Sequence, residues 1–269
     1  MEQLEQFKLF LEEQEKSEST CIAYARAVQI MLKHCKSPLT KEKLVQYRSY
    51  LSNKYKPSTV NVAVAAFNQY AVYMGKDWKL HPVRTQRKIF TDESKLLTKE
   101  EYIRLISACQ KNERLSLLLQ TVCATGIRIS ELKYIRAEVL NHKKICVTCK
   151  GKTREILLPD QLIKKLKQYC YNKKIKQGEI FITSSGKPID RSNIWRSIKR
   201  LCNAANVAQS KAFPHNLRHL FAISYYQQEK DIVKLADILG HSRVETTRLY
   251  LICDGTEHRQ QMDNLGLVV

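Results

Sequence analysis

The chain of 269 residues is 43% hydrophobic and 27% charged, a balance that suits a soluble globular protein with a sizeable core and excludes a disordered one. Lys and Arg number 46 against 26 Asp and Glu, a net charge of +20 that points to a polyanionic partner. The excess is spread, with 15 basic against 8 acidic residues in 1–90 and 31 against 18 in 91–269, so both halves are expected to face the polyanion and a basic tail is excluded.

Nine cysteines, odd in number and irregular in spacing, follow an acidic amphipathic start (MEQLEQFKLFLEEQ) rather than a secretory leader. Free thiols in a reducing cytoplasm are the expectation. Cys146 and Cys149 form a C-x-x-C, but no second pair stands at zinc-finger spacing, and a strand would turn the two side chains to opposite faces. No apolar run is long enough to span a bilayer, so no membrane partner is expected.

Residues 1–80 read as a domain of four amphipathic helices. Leu4, Phe7 and Leu11 share a face over 3–15. A second helix after Ser17–Ser19 uses Ile22, Ala25, Val28, Ile30, Met31 and Leu32, and Ser37-Pro38 ends it. Thr40 is a good N-cap for a third, built on Leu44, Val45, Tyr47, Tyr50 and Leu51. Pro57 opens a fourth that runs to about Met74, with Gly75 as its stop. Four such helices in succession make a bundle. Lys54, Lys56, Ser58, Thr59 and Asn61 gather at the N-terminus of the last one, where backbone N–H groups point outward. They are candidate phosphate contacts, with ordinary capping and solvated surface as the competing reading.

Periodicity then fades, and 81–95 reads as a linker carrying Arg84, Arg87 and Lys88. Thr98 and Glu101 have capping-box spacing, so a second domain is expected over 96–269. Helices over Tyr102–Cys109 and Arg114–Cys123 lead into ATGIRISEL at 124–132. Gly126 permits a tight turn, and Arg128 falls near a helix start, where backbone dipoles favour anions. Glu131 is placed to brace Arg128, and the apolar Leu117, Leu119, Val122, Ile127 and Leu132 argue that the pair is buried. Lys144–Thr148 and Arg154–Leu158 read as a β-hairpin with Gly151 in its turn. A lysine-rich helix follows from Gln161 to about Lys174. Ile180–Ile182 reads as a third strand, and Asn193–Ala205 as a helix whose Arg196, Lys199 and Arg200 form either a solvated face or a DNA-backbone face.

From Phe213 to Tyr250 the pattern is helix, turn, helix, turn, helix. His215 and Arg218 stand one helical turn apart beside His219, Ile232, Leu235, Ala236 and Leu239 keep a helical period, Gly240 stops it, and His241 precedes Tyr250 by nine positions. Such a set, with no carboxylate pair nearby, suits phosphate chemistry. Arginine pairs bidentately with phosphate oxygens, histidine hydrogen-bonds them or moves a proton, and tyrosine can act as a covalent nucleophile. The competing reading has each histidine capping a helix and Tyr250 packed in a core.

HNLRH (215–219), LGH (239–241) and TTRLY (246–250) resemble, in order and spacing, the C-terminal signature of the tyrosine recombinases, or phage integrase family, and TGIRISEL (125–132) resembles its Thr-Gly-x-Arg-x-Ser-Glu-Leu box. The resemblance implies a mainly α protein with a small β-hairpin, in which an N-terminal helical core-binding domain clasps one side of a duplex and a C-terminal mixed α/β domain is catalytic. It implies site-specific recombination through a 3′-phosphotyrosyl bond on Tyr250. Arg128 and Arg218 would hold the non-bridging oxygens, His215 would assist the tyrosine proton, and His241 would bond the phosphate. The family's catalytic lysine lies in a Gly-Lys-Gly-x-Lys-x-Arg hairpin. Here Cys149 replaces the first Gly and the turn is shorter, so Lys150 is the better match and Lys152, also a candidate DNA contact, the runner-up. No cofactor or metal is implied, because the phosphotyrosine stores the bond energy.

The partners implied are double-stranded DNA and further copies in a homotetramer on paired sites, joined through a C-terminal helix over Thr256–Leu265. The implied setting is the bacterial cytoplasm, at the nucleoid. Element integration or excision, inversion and dimer resolution all fit. A metal-dependent nuclease would need clustered carboxylates, and those here are scattered. The rival kept in view is a type IB topoisomerase-like strand transferase that acts without synapsis.

Overall fold

The four expected N-terminal helices form as α1 (Glu2–Glu13), α2 (Glu18–His34), α3 (Lys41–Lys54) and α4 (Pro57–Tyr73). The computed structural model describes residues 2–35, 38–84, 93–110, 112–149, 152–183, 185–250 and 262–265, and the chain divides into two units, Met1–Arg87 and Lys88–Val269. Thr40 Oγ1 accepts the Lys43 N–H at 3.3 Å to start α3, and Pro57 sits in the first turn of α4, where a missing N–H costs nothing. Phe7, Leu11, Met31, Leu44, Phe67 and Tyr70 are the centre of this unit, with Phe7 edge-on to Tyr70 at 5.1 Å.

Helical phase decides which apolar residues go inside. In α2 the buried stripe is Cys21, Ala25, Val28 and Met31, at spacings of four and three. Ile22 and Ile30 stand one position off it and are half exposed, and so are Val45 and Tyr50 in α3, although all four count among the apolar positions of their helices. Beyond α4 the chain does not leave the unit at once. Asn68 exchanges two hydrogen bonds with the backbone of Leu80, and Asn61 does the same with Val83 at 2.7 and 3.1 Å. Asn61, expected at a phosphate, has both ends of its amide engaged in this way.

In the second unit Thr98 and Glu101 form the anticipated capping box at the start of α5 (Lys99–Ala108). α6 (Glu113–Thr125) follows, then 3₁₀ turns at Ile129–Tyr134 and Ala137–Asn141 and a hairpin of β1 (Lys144–Cys149) and β2 (Lys152–Leu157), antiparallel with Val147 opposite Arg154. α7 (Asp160–Asn172), α8 (Arg191–Ala204), α9 (Pro214–Glu229), α10 (Ile232–Leu239) and α11 (Val244–Arg248) complete it. Leu118, Leu119, Val122, Ile127, Ile135 and Leu166 are at the core centre, with α6 packed on both α7 and α9.

The third strand expected at Ile180–Ile182 does not form. Ile182 makes one isolated bridge to Pro188, and the proline has no N–H with which to extend a ladder. Among the described residues the sheet has two strands. Of the expected C-terminal helix over Thr256–Leu265, only 262–265 are described. No described helix is long and apolar enough to cross a membrane.

Candidate active site

Gly126 ends α6 in the left-handed region, at φ 62°, where a Cβ would also press on Phe221 and Leu239. Arg128 then enters a 3₁₀ turn, and Glu131 reaches back to it. Glu131 Oε2 accepts the Arg128 backbone N–H at 2.9 Å and Oε1 accepts Arg128 Nη1 at 3.0 Å. Burial of this pair is one-sided: Glu131 is 2% exposed, whereas the Arg128 side chain keeps 35% of its surface and reaches a groove. A second guanidinium, that of Arg154 from β2, donates to Glu131 Oε2 at 2.7 Å.

α9 begins at Pro214 and supplies His215, Arg218 and His219 from its first two turns. Arg218 is buried. Its Nη1 donates to the carbonyl of Gly126, and its Nη2 to the carbonyl of Leu239 at 2.7 Å and to His241 Nε2 at 3.1 Å. One side chain so ties the end of α6 to the end of α10. Burial pulls the Arg218 pKa down to about 10, with Arg128 acting in the same direction and Tyr250 opposing, which leaves the group charged at neutral pH.

Gly240 stops α10 at φ 63° and turns the chain so that His241 faces Arg218, while His241 Nδ1 bonds Thr247 Oγ1 at 2.8 Å. α11 then brings round Tyr250, which is 7% exposed and packs on Ala222, Leu235 and Leu239. Its ring lies 5.4 Å from that of His215, 5.1 Å from His219 and 5.6 Å from His241, nearly parallel to the last. Burial, and then His215, lowers the His219 pKa to about 4; burial, and then Arg218, lowers that of His241 to about 4. His215 is lowered as well, by desolvation first and then by Arg218, Arg191 and Arg128. The imidazoles are consequently neutral at pH 7.

Arg128, His215, Arg218, His241 and Tyr250 are brought together and line one groove of about 1080 Å³ in the second unit, whose walls add Lys133, Arg191, Trp195 and Arg196. Lys150 lies outside the described residues, as do Arg87, Lys88 and the side chain of Lys152, which opens β2. Lys54, Lys56, Ser58, Thr59 and Arg84 are exposed on the first unit, and Arg196 and Arg200 are exposed on α8 beside a half-buried Lys199. Sequence reasoning gave no role to Arg154, Arg191 or Thr247; Arg154 carried a signal as the final Arg of the hairpin pattern and Thr247 as the second Thr of TTRLY, whereas Arg191 carried none. Among the described residues no group of three or more His, Cys, Asp or Glu gathers to hold a metal.

The phage integrase family profile matches residues 95–255, more than half of the chain, and the chain belongs to that family. It is 29% identical over 275 residues to tyrosine recombinase XerA of Pyrococcus furiosus, covering 99% of this chain and 95% of that one. Over 142 residues it is 36% identical to tyrosine recombinase XerD of Staphylococcus saprophyticus, 49% of this chain and 48% of the relative. The crystal structure of XerA recombinase superposes with a TM-score of 0.55 at 25% identity, covering 98% and 97% of the two chains. A lambda integrase tetramer bound to a Holliday junction shares the fold at a TM-score of 0.71 and 14% identity, over 93% of this chain and 76% of that one. The protein is a site-specific DNA recombinase of the tyrosine class, and the topoisomerase-like alternative is not favoured.

Proposed function

We propose that Tyr250 is the nucleophile of this recombinase and that the groove beside it receives the scissile phosphate. The carrying observation is the placement of the Tyr250 ring among His215, His219 and His241, on the wall that Arg128 and Arg218 also line. The Tyr250 oxygen attacks phosphorus, the bond to the 5′ oxygen breaks, and a 3′-phosphotyrosyl link remains. Two fixed guanidinium groups oppose the charge that builds on the non-bridging oxygens. His215, neutral at pH 7, takes the tyrosine proton, and Lys150, or Lys152 in its place, protonates the leaving oxygen. His241, whose two ring nitrogens are engaged by Arg218 and Thr247, acts on the phosphate by holding the Arg218 guanidinium in place rather than by a bond of its own. The energy of the broken bond stays in the phosphotyrosine, so the chemistry calls for neither a metal nor a nucleotide.

Four protomers on paired sites, joined through the segment beyond Tyr250, would complete the exchange. Lys54, Lys56, Ser58, Thr59, Arg84, Arg87, Lys88, Lys152, Arg196, Lys199 and Arg200 are the proposed DNA contacts; Asn61 is left out because Val83 occupies its amide. A nicked suicide substrate, which traps the adduct on a denaturing gel, tests the nucleophile. Tyr250→Phe is expected to bind DNA near the wild-type level and form no adduct, and Tyr226→Phe, at a second tyrosine packed against the same apolar cluster from α9, to form it normally. The reverse pattern would overturn the assignment. Plasmids carrying two copies of the target site, directly repeated, inverted or on separate circles, then distinguish resolution, inversion and integration.

A further inference from the structure

Glu131 holds two cations at once. Its buried carboxylate accepts from the backbone and guanidinium of Arg128 on one side and from Arg154 Nη2, at 2.7 Å, on the other. The two arginines come from different places: Arg128 opens the turn after α6, and Arg154 lies on β2, opposite Val147 and two residues past Lys152. Charge-assisted bonds to a buried carboxylate are short and directional, and breaking one of them strands charge in a poor solvent. The carboxylate is a joint between the arginine that faces the groove and the hairpin whose turn carries the lysine.

The route Arg154 takes to that joint is narrow. Its side chain is 13% exposed and runs against Gly240, where an added Cβ would overlap Arg154 Cδ and Nε. Gly240 has two duties in consequence. It supplies the left-handed stop that delivers His241, and its bare Cα leaves Arg154 a channel. The glycine of the Leu-Gly-His motif and the last arginine of the hairpin pattern are therefore spatial partners, although 86 residues separate Arg154 and Gly240.

We propose that Arg154 is a positioning residue for strand cleavage: through Glu131, and past Gly240, it fixes the lysine-bearing hairpin relative to Arg128. This rests on the reading that a hairpin lysine protonates the departing 5′ oxygen. In that step the bond from Tyr250 to phosphorus forms, the bond from phosphorus to the 5′ oxygen breaks, and the lysine's proton goes to that oxygen. An ion pair that served only folding would slow cleavage without regard to the leaving group. A positioning residue produces a defect confined to leaving-group protonation.

The test is single-turnover adduct formation on two nicked substrates, one with the normal 5′ oxygen at the scissile phosphate and one with sulfur in its place. A thiolate departs without a proton, so the second substrate bypasses the lysine. The ratio of the two rate constants does not depend on the fraction of protein that is folded. Arg154→Ala is expected to be about 10²-fold slow on the oxygen substrate, the scale of loss when a catalytic group is misplaced by an ångström. On the sulfur substrate it should come within about threefold of wild type. Arg154→Lys, which keeps the charge and a donor but not the planar fork, is expected between the two. Equal slowing on both substrates, or slowing on neither, overturns the inference. Lys150→Ala and Lys152→Ala are measured alongside. If one of them is rescued by sulfur and Arg154→Ala is not, this inference alone falls; if neither is rescued, the lysine-acid reading falls and the inference with it.

Discussion

The two units handle polar atoms in opposite ways. Among the described residues of Met1–Arg87, the fully buried side chains are hydrocarbon, sulfur or aromatic, and the amides of Asn61 and Asn68 that tie down the chain after α4 are only half-buried. In Lys88–Val269, Thr121, Thr125, Glu131, Asn216, Arg218, His219 and Thr247 are buried. Each neutral one would cost about 1–3 kcal/mol if left without a partner, and the charged Glu131 and Arg218 more; Glu131, Arg218 and Thr247 cluster with the groove-lining residues. The second unit gives up easy packing for a fixed arrangement of charge. One unit is built to hold together, the other to hold groups in place.

The strongest way to break that contrast is to remove a placed group. Arg218→Gln should lose about 10³-fold in adduct formation, the loss typical of a transition-state charge stabiliser. Its folding should weaken by about 1–3 kcal/mol, because the carbonyls of Gly126 and Leu239 lose donors while the cost of desolvating a cation disappears, and the protein should remain folded. Single-turnover rates set beside chemical denaturation check this; activity that merely tracks the folded fraction would erase the distinction. The converse change is Phe67→Ala in the first unit. It should destabilise that unit by about 3–5 kcal/mol, as large-to-small core changes do, with the cleavage rate per bound complex unaltered.

Acid sharpens the comparison at a smaller scale. His219 and His241, near 4 in the folded protein against about 6.5 when unfolded, bind protons more readily once unfolded. Their contribution to stability is complete above about pH 6.5 and is lost as pH falls toward 4, by on the order of 3 kcal/mol, most of it from the buried His219 because His241 is partly exposed. Hydrogen exchange followed peptide by peptide should place this acid-labile slope in the second unit, since His34 and His81 of the first are exposed. His219→Gln should shrink it. Smallest of all, Thr98→Ala should cost about 1 kcal/mol through loss of its cap, with cleavage unchanged in a single-turnover assay.

What the sequence made legible was local or tightly spaced. The capping box at Thr98, the stop at Gly126 and the succession of three helices from Pro214 to Arg248 depend on neighbours within a turn or two, and they stand where their residue types put them. The grouping of Arg128, His215, Arg218, His241 and Tyr250 was legible through motif order. Partnerships across the chain were not. Nothing near Arg154 announces Glu131 or Gly240, and nothing near Asn61 announces Val83. Hydrophobicity alone also could not say that Cys21 rather than Ile22 turns inward, because the choice belongs to helical phase against α4 and α1.

The short chain of bonds from Arg218 to Thr247 has a direction. A guanidinium can only donate, so His241 Nε2 must accept, and the single ring proton is left on Nδ1. That proton is given to Thr247 Oγ1, which accepts it and keeps its own hydroxyl hydrogen to pass onward. The sequence Arg218 to His241 to Thr247 therefore runs one way, like a row of magnets set head to tail. A second proton on the imidazole would set two donors face to face and break the row at its middle, so the site reads its histidine's tautomer from an arginine 23 residues earlier in the chain.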